Sequence, residues 1–223
     1  MTGWGQALQE LLPADERVEN LAVCGRSSRS FVEEGRLSAL EPRLRAGDAL
    51  VISFGHNDEK DDPARHTSPW ESYPQTLMLY VEAARRRGAE PILVTPVARR
   101  HFDGQGRLLS THGDYPAAMR ALAEKEGLRL VDMEAATMEV LEKLGPEASR
   151  ELYCHVPAGH PNYPDGAQDN SHLHRRGALR FAALFLSLLR GEATARAVVP
   201  ETKRATAAEW LNAEDDSVGY RKT

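Results

Sequence analysis

Four short runs rich in branched apolar residues, at 18–23, 49–54, 91–95 and 128–133, are separated by stretches of helical spacing, and this alternation leaves few architectures open. Each run is short, β-branched and bounded by polar or turn-forming residues, so each reads as a strand covered on both faces. Leu77, Tyr80, Val81 and Ala84 fall on one face of a helix predicted over 73–87, and Met119, Leu122 and Ala123 on one face of another over 117–126. Gly88 and Gly127 stand where those helices should stop, in the place that a left-handed cap favours, and a strand follows each within three residues. Such alternation builds right-handed crossovers onto a mainly parallel sheet, so the expected fold class is α/β, a three-layer α/β/α sandwich.

Two more helices are predicted, over 134–144 and 177–189; the second carries Leu179, Ala182, Ala183, Leu186 and Leu189 and should pack hard on the sheet. After Gly191 the composition turns polar, with one short amphipathic piece over 207–211. The economical organisation is one domain over 1–190 and a C-terminal tail over 191–223. Twenty-eight Lys and Arg against 33 Asp and Glu give a net charge of -5 with no basic stripe, so nucleic acid is not an expected partner. No apolar run approaches the roughly 20 residues that span a bilayer, and Met1-Thr2-Gly3-Trp4 lacks the basic-then-apolar pattern of a secretory signal. The expectation is therefore no membrane contact and a cytoplasmic location, with export left open for a chain that begins further upstream. Cys24 and Cys154 exclude a disulfide-stapled scaffold and leave open a single bridge.

In open parallel sheets ligands bind beyond the carboxyl ends of the strands, and here those positions are rich in polar residues. The runs lead into Cys24-Gly25-Arg26-Ser27-Ser28-Arg29-Ser30, Gly55-His56-Asn57-Asp58 and Thr95-Pro96-Val97-Ala98-Arg99-Arg100, while Asp169-Asn170-Ser171-His172 precedes the last long helix. A glycine after a strand lets its N–H approach a substrate, and an asparagine amide adds a second donor to a developing oxyanion. A carboxylate three residues before a histidine, in a turn leading to a helix, can hold the imidazole as an oriented base; capping of the helix by Asp169 is the competing role. Ser27 and Ser28 are read as helix-capping or loop-bonding residues. Arg26, Arg29, Arg99 and Arg100 fit either the carboxylates of an acidic sugar chain or structural ion pairs. Cys154, His155, His160, His172 and His174 are ligand types for zinc but match no familiar spacing, so no metal is expected.

In this order the blocks resemble the SGNH (GDSL-type) hydrolases, with a fuller match to the rhamnogalacturonan acetylesterase branch. The family blocks are Gly25 after a strand, Gly55-His56-Asn57-Asp58 and Asp169-Asn170-Ser171-His172; the branch-like text is Gly3-Trp4-Gly5-Gln6, Gly25 to Phe31, Phe54 to Asp58, Thr95 to Arg99, and Thr111-His112-Gly113-Asp114-Tyr115. The resemblance implies a flavodoxin-like parallel sheet and acyl transfer on an acetylated carbohydrate, without cofactor. It makes His172 and Asp169 catalytic and Gly25 and Asn57 oxyanion donors, and it gives Asp58 a supporting hydrogen-bonding role. Arg26, Arg99 and Trp70 are candidate substrate contacts. One block has no counterpart: the family's nucleophile is the serine of a Gly-Asp-Ser at the end of a first strand, and no Gly-Asp-Ser occurs here. The expectation is that this strand and serine lie outside the sequence, upstream of Met1. The alternative is a noncatalytic carbohydrate-binding relative that has lost its serine.

Overall fold

In the computed structural model residues 1–191 are described; the piece expected at 207–211 lies outside the described residues. An N-terminal arm forms α1 (Trp4–Ala7) and a 3-10 turn (Leu8–Leu11), and two short helices follow, α2 (Ser28–Glu33) and α3 (Arg36–Leu40). Strand and helix then alternate through β1 (Ala49–Ile52), α4 (Ser72–Arg86), β2 (Glu90–Val94), α5 (Tyr115–Glu126), β3 (Arg129–Val131) and α6 (Met133–Ala148). The strands β4 (Tyr153–Val156) and β5 (Ala167–Leu173) precede the last helix, α7 (Arg175–Leu189). Helical geometry inside α6 breaks at Gly145, whose φ of 68° no side-chain-bearing residue adopts easily, and Pro146 follows. That break matches the expected end at 144.

β1, β2 and β3 form a parallel sheet in that order, with Val51 opposite Ile92 and Leu93 opposite Leu130. Because successive strand residues point to opposite faces, Leu93 joins Leu50 and Ile52 on one side while Ile92 and Val94 lie on the other. The first face buries Leu77, Tyr80 and Val81 of α4, Met119 and Leu122 of α5, and Phe31 and Leu37 of the short helices. The second buries Leu141 of α6 and Phe181, Leu184 and Phe185 of α7, with Trp4 stacked at 4.9 Å on Phe185. Each such fully buried side chain contributes roughly 1.5–3 kcal/mol, so α7 is held to the sheet by its apolar face. This is the three-layer α/β arrangement, and the four long helices lie where periodicity placed them.

Two strand expectations fail. Residues 18–23 form no strand: the Val18 N–H is taken by Gln9 Oε1 at 2.7 Å and the Ala22 N–H by Asn20 Oδ1 at 3.1 Å. Leu21 and Val23 still pack on the core beside β1, so the apolar pattern reported burial and not pairing. Burial on both faces holds for the end of β2 alone. In β1 exposed and buried residues alternate, with Val51 36% exposed, and β3 begins at an exposed Arg129. A strand hydrogen-bonded on one side only has fewer neighbours to cover it, and among the described residues β1 pairs only with β2.

Candidate active site

Beyond the carboxyl end of β1 the chain turns sharply at 55–58. Gly55 has φ of 133°, and a Cβ there would sit 3.0 Å from Pro96 Cγ, so glycine lets this turn lie against the segment after β2. The Asp58 carboxylate, fully buried, holds the turn from inside: it accepts from the Gly55 N–H (3.0 Å), the Ser28 N–H (3.0 Å), Thr67 Oγ1 (3.2 Å) and the Ser28 hydroxyl. Burial pushes the Asp58 carboxyl above its ordinary range despite these donors. Asn57 Nδ2 donates to the Arg26 carbonyl at 3.3 Å. The Gly25 loop, where φ is 78°, is thereby tied to the turn that carries Asn57. Ser27 caps α2, its Oγ accepting from the Ser30 N–H at 3.1 Å, and Ser28 is committed to Asp58; both are fully buried.

Asp169 and His172 do not lie in a turn before a helix but within β5. In a regular strand, residues three apart point to opposite faces and cannot bond. The pairing with β4 is irregular, however: Tyr153 faces Leu173 while His155 faces Gln168, so the residues between bulge outward. In that bulge Asp169 Oδ1 accepts from the Ser171 N–H (2.7 Å) and the His172 N–H (2.8 Å), and Oδ2 meets His172 Nδ1 at 2.7 Å. Burial raises the Asp169 carboxyl, but these N–H donors and the imidazole outweigh it and hold it below the usual range. Asp169 therefore stays a carboxylate, and the imidazole is about half exposed.

Arg100, nearly buried, fastens this hairpin to the loop after β2. Its N–H donates to the Asn170 carbonyl (2.9 Å), Nη1 to Asn170 Oδ1 (2.7 Å), Nε to Ser149 Oγ (3.1 Å) and Nη2 to the Pro146 carbonyl. His155 Nε2 meets the same Asn170 oxygen at 2.8 Å. Nothing in the spacing of Arg100 and Asn170, 70 residues apart, announced this contact. Arg100→Met is expected to lower stability by about 2 to 3 kcal/mol, because the Pro146 carbonyl loses its charged donor inside the protein. Urea unfolding would measure it; an unchanged midpoint would mean that the hairpin stands without the guanidinium.

The other candidates have partners of their own. Arg26 Nε pairs with Glu34 at 3.0 Å, Arg29 with Glu33 at 2.7 Å, and Arg99 with Glu59. Trp70 is 56% exposed, its indole N–H held by Asp114 Oδ2 at 2.9 Å. Cys24 is exposed and Cys154 buried, both as free thiols. Among the described residues no three His, Cys, Asp or Glu side chains gather as metal ligands, and no helix is long and apolar enough to cross a membrane.

A family model described as the GDSL-like Lipase/Acylhydrolase family matches residues 1–178. The rhamnogalacturonan acetylesterase RhgT of Bacillus subtilis (strain 168) is 45% identical over 185 residues, covering 82% of this chain and 78% of that protein. A rhamnogalacturonan acetylesterase of Emericella nidulans is 26% identical over 204 residues, covering 82% and 77%. Among solved structures, protein YXIM of Bacillus subtilis aligns with TM-score 0.71 at 28% identity over 85% of this chain; the match spans 50% of that chain. The acetylxylan esterase Axe2 of Geobacillus stearothermophilus aligns with TM-score 0.60 at 22% identity, covering 87% and 84%, a likeness of fold alone.

Proposed function

This chain belongs to the GDSL-like Lipase/Acylhydrolase family, and from that membership we propose that it removes acetyl groups from an acetylated carbohydrate of the rhamnogalacturonan type through an acyl-enzyme. The observation that carries the reading is the 2.7 Å contact between His172 Nδ1 and the Asp169 carboxylate. With the proton fixed on Nδ1, Nε2 is left as the base. His172 takes the proton of a serine as its oxygen attacks the acetyl carbonyl, then returns it to the departing sugar alkoxide; water repeats the cycle to release acetate. The negative oxygen is stabilised by the Gly25 N–H and the Asn57 amide, whose second hydrogen remains for it after the bond to Arg26. Trp70, steadied by Asp114, offers an exposed flat apolar face to a sugar ring.

The nucleophile is the part these residues do not supply. No Gly-Asp-Ser occurs in the 223 residues, and the hydroxyls of Ser27 and Ser28 are turned inward. The serine in this reading sits on a further strand that pairs with the edge of β1 left unpaired among the described residues, which would bring it beside Gly25, Asn57 and His172. Exposed to a fluorophosphonate probe, the 223-residue chain is expected to take no label at Ser27 or Ser28. With a Gly-Asp-Ser strand joined ahead of Gly3, label at that serine and acetate release from acetylated rhamnogalacturonan are expected. Label at Ser27 or Ser28, or a serine-bearing protein that neither labels nor releases acetate, would overturn the reading.

A further inference from the structure

Glu59, Arg99 and His112 have no part in the acyl-transfer steps, yet they converge beneath the turn that carries Asn57. The Glu59 carboxylate accepts from Arg99 Nη2 and meets His112 Nδ1 at 3.2 Å; the Arg99 and Glu59 side chains are 15% and 16% exposed and that of His112 only 1%. His112 Nε2 donates to the Val97 carbonyl at 2.9 Å, so the ring is pinned at both nitrogens. Arg99 Nη1 donates to the Thr111 carbonyl and hydroxyl, each at 3.2 Å, and Nη2 donates to the His56 carbonyl at 3.3 Å. That carbonyl shares its peptide plane with the Asn57 N–H, so holding it sets the direction in which Asn57 leaves the turn. The His56 ring rests edge-on against the His112 ring, centroids 4.4 Å apart.

The charges fit a fixed scaffold. Burial pushes Glu59 up, but hydrogen bonds from His112 and Arg99 prevail and keep it a carboxylate below the usual range. Burial, then the neighbouring charges of His112, Arg99, His172 and Lys60, holds His56 well below the ordinary histidine range. The His56 ring therefore sits against the buried cluster through its contact with His112. A largely buried ion cluster is costly unless its geometry is well satisfied, and this one joins the connection after β1 to both arms of the connection after β2.

We propose that Glu59, Arg99 and His112 are positioning residues that lock the 55–58 turn, so that the Asn57 amide and the His56 ring keep one fixed direction. The role rests on the acyl-transfer reading above. Arg99→Lys keeps the charge but removes the fork, since one ammonium cannot serve Glu59, Thr111 and the His56 carbonyl together. In nitrogen-labelled histidine spectra of the full chain, this substitution is expected to raise the protonation midpoint of His56 toward the ordinary histidine value as water reaches the ring. The Asn57 side-chain amide signals should shift or broaden. Glu59→Gln is the second variant, and Glu139→Gln, on the exposed face of α6, the control that changes neither readout.

In the serine-bearing protein both variants are expected to lower kcat about tenfold to a hundredfold, the cost of a slightly misplaced donor, while KM stays within about twofold. A folded Arg99→Lys protein with native His56 midpoint and native Asn57 signals would overturn the proposal, as would unchanged kcat in both variants. Absence of hydrolysis in the unsubstituted serine-bearing protein would overturn the esterase reading alone, because the spectra of the turn need no turnover.

Discussion

Asp169→Asn, in the protein that carries its serine, is expected to lose about four orders of magnitude in kcat with little change in stability. The reason lies in the bulge of β5. The two backbone N–H groups of Ser171 and His172 require an acceptor at the Oδ1 position, so the new amide must place its nitrogen toward His172 Nδ1. That nitrogen donates, the imidazole proton moves to Nε2, and the atom that must accept the serine proton is already protonated. His172→Ala removes the base altogether and is expected to lose at least as much. Initial rates on an activated acetyl ester measure both, with a thermal melt to show that the fold survives. Retention of more than about a tenth of the native kcat in either would sink the assignment of Asp169 and His172.

Gly177→Ala is expected to be the most damaging single methyl group in the chain. Gly177 sits in the first turn of α7, and a Cβ there would lie 1.9 Å from the Leu152 carbonyl oxygen and 2.7 Å from its carbon. Both are backbone atoms, and the oxygen already accepts the His174 N–H at 3.1 Å, so neither can step aside. Seating the methyl means moving the start of α7 off the 3-10 turn at Ser149–Leu152, which should cost about 3 kcal/mol or more. For a chain of this size that is a fall in Tm of roughly 10 °C. The same displacement would carry Leu173 and His172 with it, so activity should fall further than stability explains. A Tm within about 2 °C of the native value would show that the contact relaxes more easily than its geometry implies.

Much of the site was legible because it is made of short runs whose meaning is local. Gly55-His56-Asn57-Asp58 marks a turn by its composition, and in the structure Asp58 gathers the N–H groups of that turn and of Ser28. Ser27 and Ser28 read as capping and loop-bonding residues and have those contacts. The failure at 18–23 is instructive in the same terms. An apolar run records that side chains are buried, which is true of Leu21 and Val23 in part, but a ladder also needs a partner strand, and that is a property of the chain elsewhere.

The sequence by itself determined the α/β class, the approximate extents of α4, α5, α6 and α7, the inward faces of α4 and α5, and the order of the chemically equipped loops. These follow from backbone periodicity and from residues a few places apart. Only the tertiary structure decided that Asp169 and His172 sit in a bulged strand, that Arg100 fastens that hairpin to the loop after β2, and that Glu59 and His112 meet across 53 positions beneath Asn57. The physical reason is that a hydrogen bond to a buried group is satisfied by whichever donor the packing of the layers brings within 3 Å, and distance along the chain carries no record of that.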